Sequence, residues 1–287
     1  MDERMTNAAG AVGLVLARPE RLLGIEPFFM ELIAGIEETL AQRDLSILVQ
    51  VVPTHDAEVE IYRRWADWRL VDAVIVVNLV QDDQRPAVLR ELGLPCVLVG
   101  PLAEPGFVTI VRSDEAAVER AALAHLLGLG HRRLARVSGP ARLEHTQVRT
   151  AAMLEECRAV GVEPTILEGD YSDDAGAQLT RRLLALPERP TAIVYDNDVM
   201  AVAGLRAAQV LGVAVPDQLS LIAWDDSTLC QLSSPAMTTM RVDVHEYGVR
   251  VARSIFEILD GTPVTERWAP AARLVPRGTT APPPPSA

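Results

Sequence analysis

Three polar side chains stand just after short apolar runs of the sequence, where a parallel sheet would bring them to one edge. They are Asn78, Asn197 and Asp225, and Arg149 lies on a predicted helix that could reach the same edge. In open α/β sheets, ligands bind beyond the carboxyl ends of the strands. Amide, carboxylate and guanidinium groups supply the acceptors and forked donors that suit the vicinal hydroxyls of a sugar. Ordinary structural roles are the alternative, since Asn197 is suited to capping a helix and Arg149 to a surface ion pair.

No motif for catalysis, phosphate binding or metal binding accompanies these residues. The sequence holds no Gly-x-x-x-x-Gly-Lys-Ser/Thr loop, no Gly-x-Gly-x-x-Gly after the first strand, no Gly-x-Ser-x-Gly elbow and no His-Glu-x-x-His pair. Adjacent acids such as Asp225-Asp226 are not a catalytic pair by adjacency alone, because the fold places glycosidase carboxylates across a cleft. His131 follows a predicted helix end, where a donor favours the last carbonyls. We therefore predict no catalytic residue, no cofactor and no metal site.

Short, continuous, β-branched runs alternate along the chain with helical patterns. Runs that are apolar on both faces are typical of strands in parallel sheets covered by helices on both sides. The predicted strands are Ala11–Ala17, Leu45–Val52, Val71–Val77, Cys96–Val99, Phe107–Val111, Leu134–Ser138, Ala192–Tyr195 and Leu219–Ala223. The first helix shows an apolar stripe from Phe29 to Leu40, and Pro27 can open it. Repeated strand–helix alternation indicates an α/β fold of doubly wound parallel sheets, and eight strands with their helices suit two lobes.

The composition excludes some classes of protein. The 287 residues carry 39 acidic and 27 basic side chains, a formal charge of −12, which disfavours a surface that neutralises nucleic-acid phosphates. The N-terminal residues are polar, and no apolar run approaches the ~18 residues that a membrane span needs. Cys96, Cys157 and Cys230 are far apart and form no Cys-x-x-Cys pair, which favours buried, reduced thiols. We therefore expect a cytoplasmic protein without a membrane anchor.

Five stretches of the sequence, taken together and in order, carry a family resemblance. They are Leu129–Gly139 (LGHRRLARVSG), Ala192–Ala201 (AIVYDNDVMA), Gly212–Asp226 (GVAVPDQLSLIAWDD), Pro235–Met240 (PAMTTM) and Leu274–Thr280 (LVPRGTT). With these stretches the chain resembles the effector-binding core of the LacI/GalR family of bacterial transcription regulators, over roughly residues 11–280. One departure is Ala223, where the family usually has Gly before the aromatic–Asp–Asp turn.

The resemblance implies a type I periplasmic-binding-protein-like fold of two lobes, with a small-molecule effector in the cleft between them. It also implies effector contacts for a set of residues in this sequence. Arg149, Asn197 and Asp225 match the family's effector-binding arginine, asparagine and aspartate. Phe28 and Phe29 match first-helix positions that often line the cleft, and Asp114 is a weaker match. Asn78 is a candidate through the strand-end rule alone.

The lobes implied by the resemblance are each built from two pieces of the chain. Family members are usually dimers preceded by a helix-turn-helix headpiece, and about ten residues precede the first strand here. We therefore expect the DNA-binding headpiece to be absent from this chain. The expected N-terminal lobe is 11–130 with 241–264, the expected C-terminal lobe is 131–240 with 265–280, and the expected flexible ends are 1–10 and 281–287.

The sequence thus predicts the effector-sensing domain of a LacI/GalR-type regulator, a homodimer that binds a sugar or a related metabolite and controls DNA binding by a headpiece. A solute-binding protein of a transporter uses the same fold, but it would carry a leader peptide, and the polar N-terminus does not favour one. A carbohydrate-active enzyme with Asp225 or Asp198 as its acid–base is the third alternative. It lacks a supporting nucleophile or metal set.

Overall fold

The structure is a computed structural model that describes residues 9–17, 27–101, 109–263 and 265–285. These residues form two units, each with its own sheet and helices. Unit 1 contains the described residues up to Ser113 together with Asp243–Pro270, and unit 2 contains Asp114–Val242 together with the described residues from Ala271 onward. No helix in this part of the chain is long and apolar enough to cross a membrane.

The bounds of the elements follow in chain order. The strands are β1 (Ala11–Ala17), β2 (Ser46–Val52), β3 (Ala73–Val76), β4 (Cys96–Val99), β5 (Thr109–Arg112), β6 (Leu134–Ser138), β7 (Thr165–Glu168), β8 (Ala192–Tyr195), β9 (Ser220–Trp224), β10 (Thr238–Arg241), β11 (Glu266–Trp268) and β12 (Arg273–Val275). The helices are α1 (Pro27–Leu40), α2 (His55–Trp68), α3 (Arg85–Glu91), α4 (Glu115–Gly128), α5 (Glu144–Ala159), α6 (Asp173–Leu184), α7 (Asp198–Val210), α8 (Thr228–Leu232) and α9 (Val244–Leu259).

Each unit has a six-stranded sheet among its described residues. The strand order is β11-β5-β4-β3-β1-β2 in unit 1, where every pairing is parallel. The order is β12-β10-β9-β8-β6-β7 in unit 2, where β12 alone runs antiparallel to its neighbour. The prediction of an α/β fold with two parallel sheets flanked by helices is confirmed.

The central strands are the ones that the apolar runs predict. Every residue of β3, β4, β6, β8 and β9 is buried, as expected for strands covered on both faces. Strands β7, β10, β11 and β12 are additions to the predicted set, and each contains at least one exposed residue. These strands lie at or beside a sheet edge, where no continuous apolar run is required. Phe107 and Val108, predicted to open the fifth strand, lie outside the described residues.

The boundaries of the units differ from the expected lobes at two places. Helix α4, expected in the N-terminal lobe, belongs to unit 2, because Ala122, Leu123 and Leu126 pack in one core cluster with Leu134. Strand β11, expected in the C-terminal lobe, belongs to unit 1, because it pairs with β5. Helix α4 thus joins the unit in which its apolar face is buried, and β11 joins the sheet to which its backbone is hydrogen-bonded.

Three residues of the expected flexible ends form hydrogen bonds with the fold. The backbone N–H groups of Ala9 and Gly10 donate to the carboxylate of Asp72, each at 2.8 Å. At the other end, Ala281 exchanges hydrogen bonds with the hydroxyl of Ser220. Ala9, Gly10 and Ala281 are therefore fixed by side chains of the fold, whereas 1–8 and 286–287 lie outside the described residues.

Helices α1 and α9 approach each other closely in unit 1 because both have glycine at the contact. A Cβ added at Gly35 would lie 2.1 Å from the carbonyl oxygen of His245. A Cβ added at Gly248 would lie 2.2 Å from the carbonyl oxygen of Leu32. These distances leave no room for a methyl group against rigid backbone, so the packing of the two helices requires glycine at both positions.

The replacement Gly35→Ala is expected to destabilise unit 1 by about 1–3 kcal/mol, because the helices have to move apart. Gly128→Ala is the matched control, since nothing lies within 4 Å of its added Cβ and alanine favours a helix over glycine. The measurement is the free energy of unfolding in urea. Equal effects of the two replacements would show that α1 and α9 are not tightly constrained.

His131 is buried between α4 and β6 and holds the C-terminal segment against the sheet of unit 2. Its Nδ1 lies 2.9 Å from Oγ1 of Thr191, and its Nε2 lies 2.9 Å from the carbonyl oxygen of Ala281. Burial lowers the pKa of His131 below its usual range. His131 therefore has a structural role, but its ring binds Thr191 and Ala281 rather than the last carbonyls of α4.

The lowered pKa makes the contribution of His131 depend on pH in a definite direction. Above about pH 6.5 the imidazole is neutral in both the folded and the unfolded chain, so its contribution is complete. As the pH falls below that value, the unfolded chain binds the proton more readily, and stability is lost. The difference in unfolding free energy between the wild type and His131→Gln should therefore shrink between pH 7.5 and pH 5.5. If the difference in unfolding free energy stays constant over this range, the buried neutral His131 does not contribute to stability in this way.

Candidate functional site

The carboxyl ends of β6, β8 and β9 lie side by side in the sheet of unit 2, as the strand order requires. Polar segments follow all three strands. Gly139 follows β6, the pair Asp196-Asn197 follows β8, and the pair Asp225-Asp226 follows β9. The side chains and backbone groups of these segments form the candidate site.

A buried ion pair joins two of these strands. Arg136, inside β6, donates from Nε and Nη2 to the two carboxylate oxygens of Asp196 at 2.7 and 2.8 Å. Both side chains are completely buried, and the backbone N–H of Gly139 donates to the same carboxylate at 2.9 Å. Burial alone would raise the pKa of Asp196, but the charge and hydrogen bonds of Arg136 hold it below its usual range. Asp196 is therefore an internal counter-ion.

Arg149, on α5, lies beside this pair. Its Nε and Nη2 atoms are both 2.7 Å from Oε2 of Glu115, and Nη1 donates to the carbonyl oxygen of Asp196 at 3.2 Å. Its guanidinium carbon lies 3.3 Å from the centre of the Trp224 ring. Burial opposes the charge of Arg149, but Glu115 and Asp196 raise its pKa above the usual value. Only 10% of the side chain is exposed, so the cation is held in a fixed orientation.

Trp224 lies on the other side of the cluster formed by Arg136, Asp196, Arg149 and Glu115. Its indole Nε1 donates to Oε2 of Glu119 at 3.2 Å, and Glu119 is fully buried. Burial raises the pKa of Glu119, which favours the uncharged acid. Glu115 and Glu119 are four residues apart on α4, so both face the cluster from one side of that helix. Neither residue was a predicted site residue, although this spacing on an otherwise apolar helix is visible in the sequence.

Asn197 caps a helix, which was the alternative to a ligand-binding role. At the start of α7, its Oδ1 accepts a hydrogen bond from the N–H of Met200 at 2.9 Å. Its Nδ2 donates to the carbonyl oxygen of Tyr171 at 3.1 Å. The amide has two N–H groups and two acceptor positions, and these contacts use one of each. The cap therefore fixes the orientation of a side chain that retains hydrogen-bonding capacity.

Asp225 and Asp226 have different environments. The carboxylate of Asp226 binds the guanidinium of Arg277, with Nη2 at 2.8 Å, and it accepts from the hydroxyl of Thr239 at 3.1 Å. Asp225 is half-buried and has a left-handed φ of 68°, which Asp tolerates better than most residues. Asp226 therefore forms hydrogen bonds that stabilise the fold, whereas Asp225 lies half-buried at the carboxyl end of β9.

Residues adjacent in sequence to the predicted residues of unit 2 surround the guanidinium of Arg149. Arg149 contacts Asp196, Trp224 and Glu115, which are the sequence neighbours of Asn197, Asp225 and Asp114 respectively. Asp114 itself is exposed, and its Oδ1 caps α4 by accepting from the N–H of Ala117 at 3.0 Å. The prediction for Asp114 thus falls one residue short of the carboxylate that reaches Arg149.

The predicted residues of unit 1 lie at the carboxyl edge of its own sheet. Phe29 belongs to the unit 1 core and is 8% exposed, whereas Phe28 is partly buried with its ring centre 5.4 Å from that of Phe29. Asn78 has a left-handed φ of 52°, and its carbonyl oxygen accepts from Nη2 of Arg85 at 3.0 Å. Phe29 therefore contributes mainly to packing, while Phe28 and Asn78 retain partial exposure.

The arrangement in unit 2 is suited to binding a polar ligand. It combines an oriented guanidinium, an amide, a carboxylate and an aromatic ring, which are the groups that hydrogen-bond to hydroxyls and pack against apolar faces. The described residues contain no group of three or more His, Cys, Asp or Glu side chains placed to hold a metal ion. The three cysteines are buried and unpaired by disulfide bonds.

Comparison with known proteins gives the same architecture. A family model described as a periplasmic binding protein-like domain matches residues 123–280. The structure of a LacI family transcriptional regulator from Bifidobacterium animalis superposes with a TM-score of 0.87 at 35% identity, covering 96% of this chain and 99% of that one. A complex of the transcriptional regulator CelR with cellobiose superposes with a TM-score of 0.86 at 27% identity, covering 95% of this chain and 85% of that one.

A transcription regulator of known class is also similar to this chain in sequence. The HTH-type transcriptional regulator MalR of Streptomyces coelicolor is 30% identical over 284 residues, which are 95% of this chain and 81% of MalR. The fold and the site define a periplasmic-binding-protein-like domain with a ligand site at the strand ends. The chain belongs to the LacI/GalR family of transcription regulators. It is an effector-sensing domain of such a regulator, as predicted, and the relatives favour this over a transporter's solute-binding protein.

The ion pair of Arg136 and Asp196 is expected to be essential for the stability of unit 2. Asp196→Asn leaves a buried guanidinium without its counter-ion, which should reduce the free energy of unfolding by about 3–5 kcal/mol. Glu60→Gln is the control, since Glu60 pairs with Arg63 on the surface and its loss should change stability by less than about 1 kcal/mol. Urea unfolding of both variants measures the effects. Similar small losses would contradict the assignment of Asp196 as an internal counter-ion.

Proposed function

We propose that the carboxyl edge of the unit 2 sheet binds a sugar effector through hydrogen bonds to Arg149, Asn197 and Asp225. The orientation of Arg149 carries this proposal. Contacts within the described residues engage three of its five N–H groups, which leaves two N–H groups to donate to ligand hydroxyls. Because the guanidinium lies on the Trp224 ring, its plane is fixed before the ligand arrives, which lowers the entropy lost on binding.

The relatives support a sugar as the class of effector. The CelR structure is a complex with cellobiose, a neutral disaccharide, and the chain is similar to that regulator over most of its length. The curated CelR of Thermobifida fusca is 29% identical over 264 residues. Phe28, Phe29, Asn78 and Asp114 are also part of this proposal, with Phe28 and Asn78 favoured over Phe29 because Phe29 is nearly buried.

The biological setting of the site is also inferred from the family. We infer that the protein acts in the cytoplasm as a homodimer, where the effector controls DNA binding by a helix-turn-helix headpiece. The relatives are transcription regulators, which supports this setting. Because the relatives are transcription regulators, we propose that the site binds its ligand without transforming it.

Isothermal titration with cellobiose and maltose tests the proposal. The better-binding sugar should lose about tenfold to a hundredfold in affinity on Asp225→Asn, because one charge-assisted hydrogen bond becomes a neutral one. Asp217→Asn removes an exposed carboxylate from the same unit and should leave the affinity unchanged. Sugar at 100 times its Kd should also stabilise the fold by about 2.7 kcal/mol. Wild-type affinity in Asp225→Asn would remove that residue from the site, and no response to either sugar would exclude both as effectors.

A further inference from the structure

The guanidinium of Arg149 already has a carboxylate partner inside the protein. Two of its nitrogen atoms lie 2.7 Å from one oxygen of Glu115, and both side chains are 10% exposed. Charges at this separation interact strongly when little water lies around them. An anionic group on a ligand would therefore have to compete with Glu115 for Arg149, whereas a hydroxyl needs only an available N–H donor.

The other charged groups of the cluster add no net positive charge. Arg136 is balanced by Asp196, and Arg149 is balanced by Glu115. These two ion pairs leave no net positive charge that would attract a phosphate or carboxylate ligand.

Neither a lysine nor Arg277 adds a cation to this site. The sequence contains no lysine, so all 27 of its Lys and Arg residues are arginines. Arg277, which lies near the end of β9, is paired with Asp226. No flexible ammonium group is therefore available to follow an anionic ligand into the site.

We propose that Glu115 makes the site selective for uncharged polyhydroxy ligands by occupying the cation that would otherwise bind an anion. This inference rests on the proposed function, because it assigns the ligand's charge at the same site. Glu115 leaves Arg149 available to hydroxyls through its remaining N–H groups while it keeps phosphorylated and carboxylated ligands out. Glu115 is thus a specificity-determining residue that need not touch the ligand.

The first test uses inorganic phosphate and needs no knowledge of the effector. Glu115→Gln keeps the shape of the side chain and an oxygen that accepts from Arg149, but it removes the charge. The full chain carrying Glu115→Gln should bind phosphate at a concentration at least about tenfold lower than the wild type, because one nearby like charge is gone. Glu155→Gln makes the same change in net charge at an exposed position of unit 2 and should leave phosphate binding as in the wild type.

The fluorescence of Trp224 locates the bound phosphate. Trp224 is the only tryptophan of unit 2, and its ring lies against the Arg149 guanidinium. Phosphate should change the emission of Glu115→Gln, and this change should disappear when Trp224→Phe is added. A phosphate held by an exposed arginine elsewhere would leave that emission unchanged and would overturn the proposal. Equal affinity of the wild type and of Glu115→Gln for phosphate would also overturn the proposal.

A matched pair of ligands tests the same selectivity in the wild type. Maltose and maltose 6-phosphate differ by one anionic group, and a site of this kind should bind only the neutral sugar. Tighter binding of the phosphorylated sugar would overturn the proposal. If neither sugar binds, the assignment of that effector fails, whereas the phosphate titration still decides the role of Glu115. Glu115→Asn replaces Glu115→Gln if the latter does not unfold cooperatively.

Discussion

The arrangement of the site in unit 2 depends on the buried ion pair between Arg136 and Asp196. An unpaired guanidinium inside a sheet is very unfavourable, so the arginine of β6 requires a carboxylate at the end of β8. The same carboxylate accepts from the N–H of Gly139, which fixes the ends of the two neighbouring strands. The chain then continues into Asn197, which begins α7, while the carbonyl of Asp196 binds Arg149. One internal pair thus orients both the amide and the cation of the candidate site.

Unit 1 contains a comparable cluster at the same edge of its own sheet. Arg85 is buried between Glu58, at 2.7 Å, and Asp83, and the hydroxyl of Tyr62 donates to Glu58. Its guanidinium also binds the carbonyl of Asn78 and so fixes the left-handed residue after β3. Well-packed apolar residues often replace buried ion pairs without loss of stability. Positioning polar strand ends is therefore a better reason for both clusters than stability alone.

Much of the fold, and part of the candidate site, could be predicted from the sequence. The central strands are predictable because burial on both faces requires continuous apolar runs, whereas short strands such as β7 and β11 are partly exposed and leave no such signal. The ion pair of Arg136 could not be predicted, because Arg136 lies inside an apolar run and its partner, Asp196, is 60 residues away in sequence. Asp114 was chosen over Glu115 because the sequence does not show which of two adjacent carboxylates caps α4 and which faces Arg149.

A site whose cation is already paired achieves affinity and selectivity by different means from one that binds an ion. Its gain on binding is the exchange of hydrogen bonds to water for hydrogen bonds to hydroxyls, which is modest for each bond. Its discrimination is larger, because a ligand that lacks one hydroxyl leaves an oriented donor of Arg149 unpaired in surroundings that are nearly dry. Rigid support by Trp224 and Glu115 increases this penalty, since the guanidinium is not free to turn towards water. The internal pairing of Arg149 therefore favours recognition of the hydroxyl pattern of a sugar over recognition of charge.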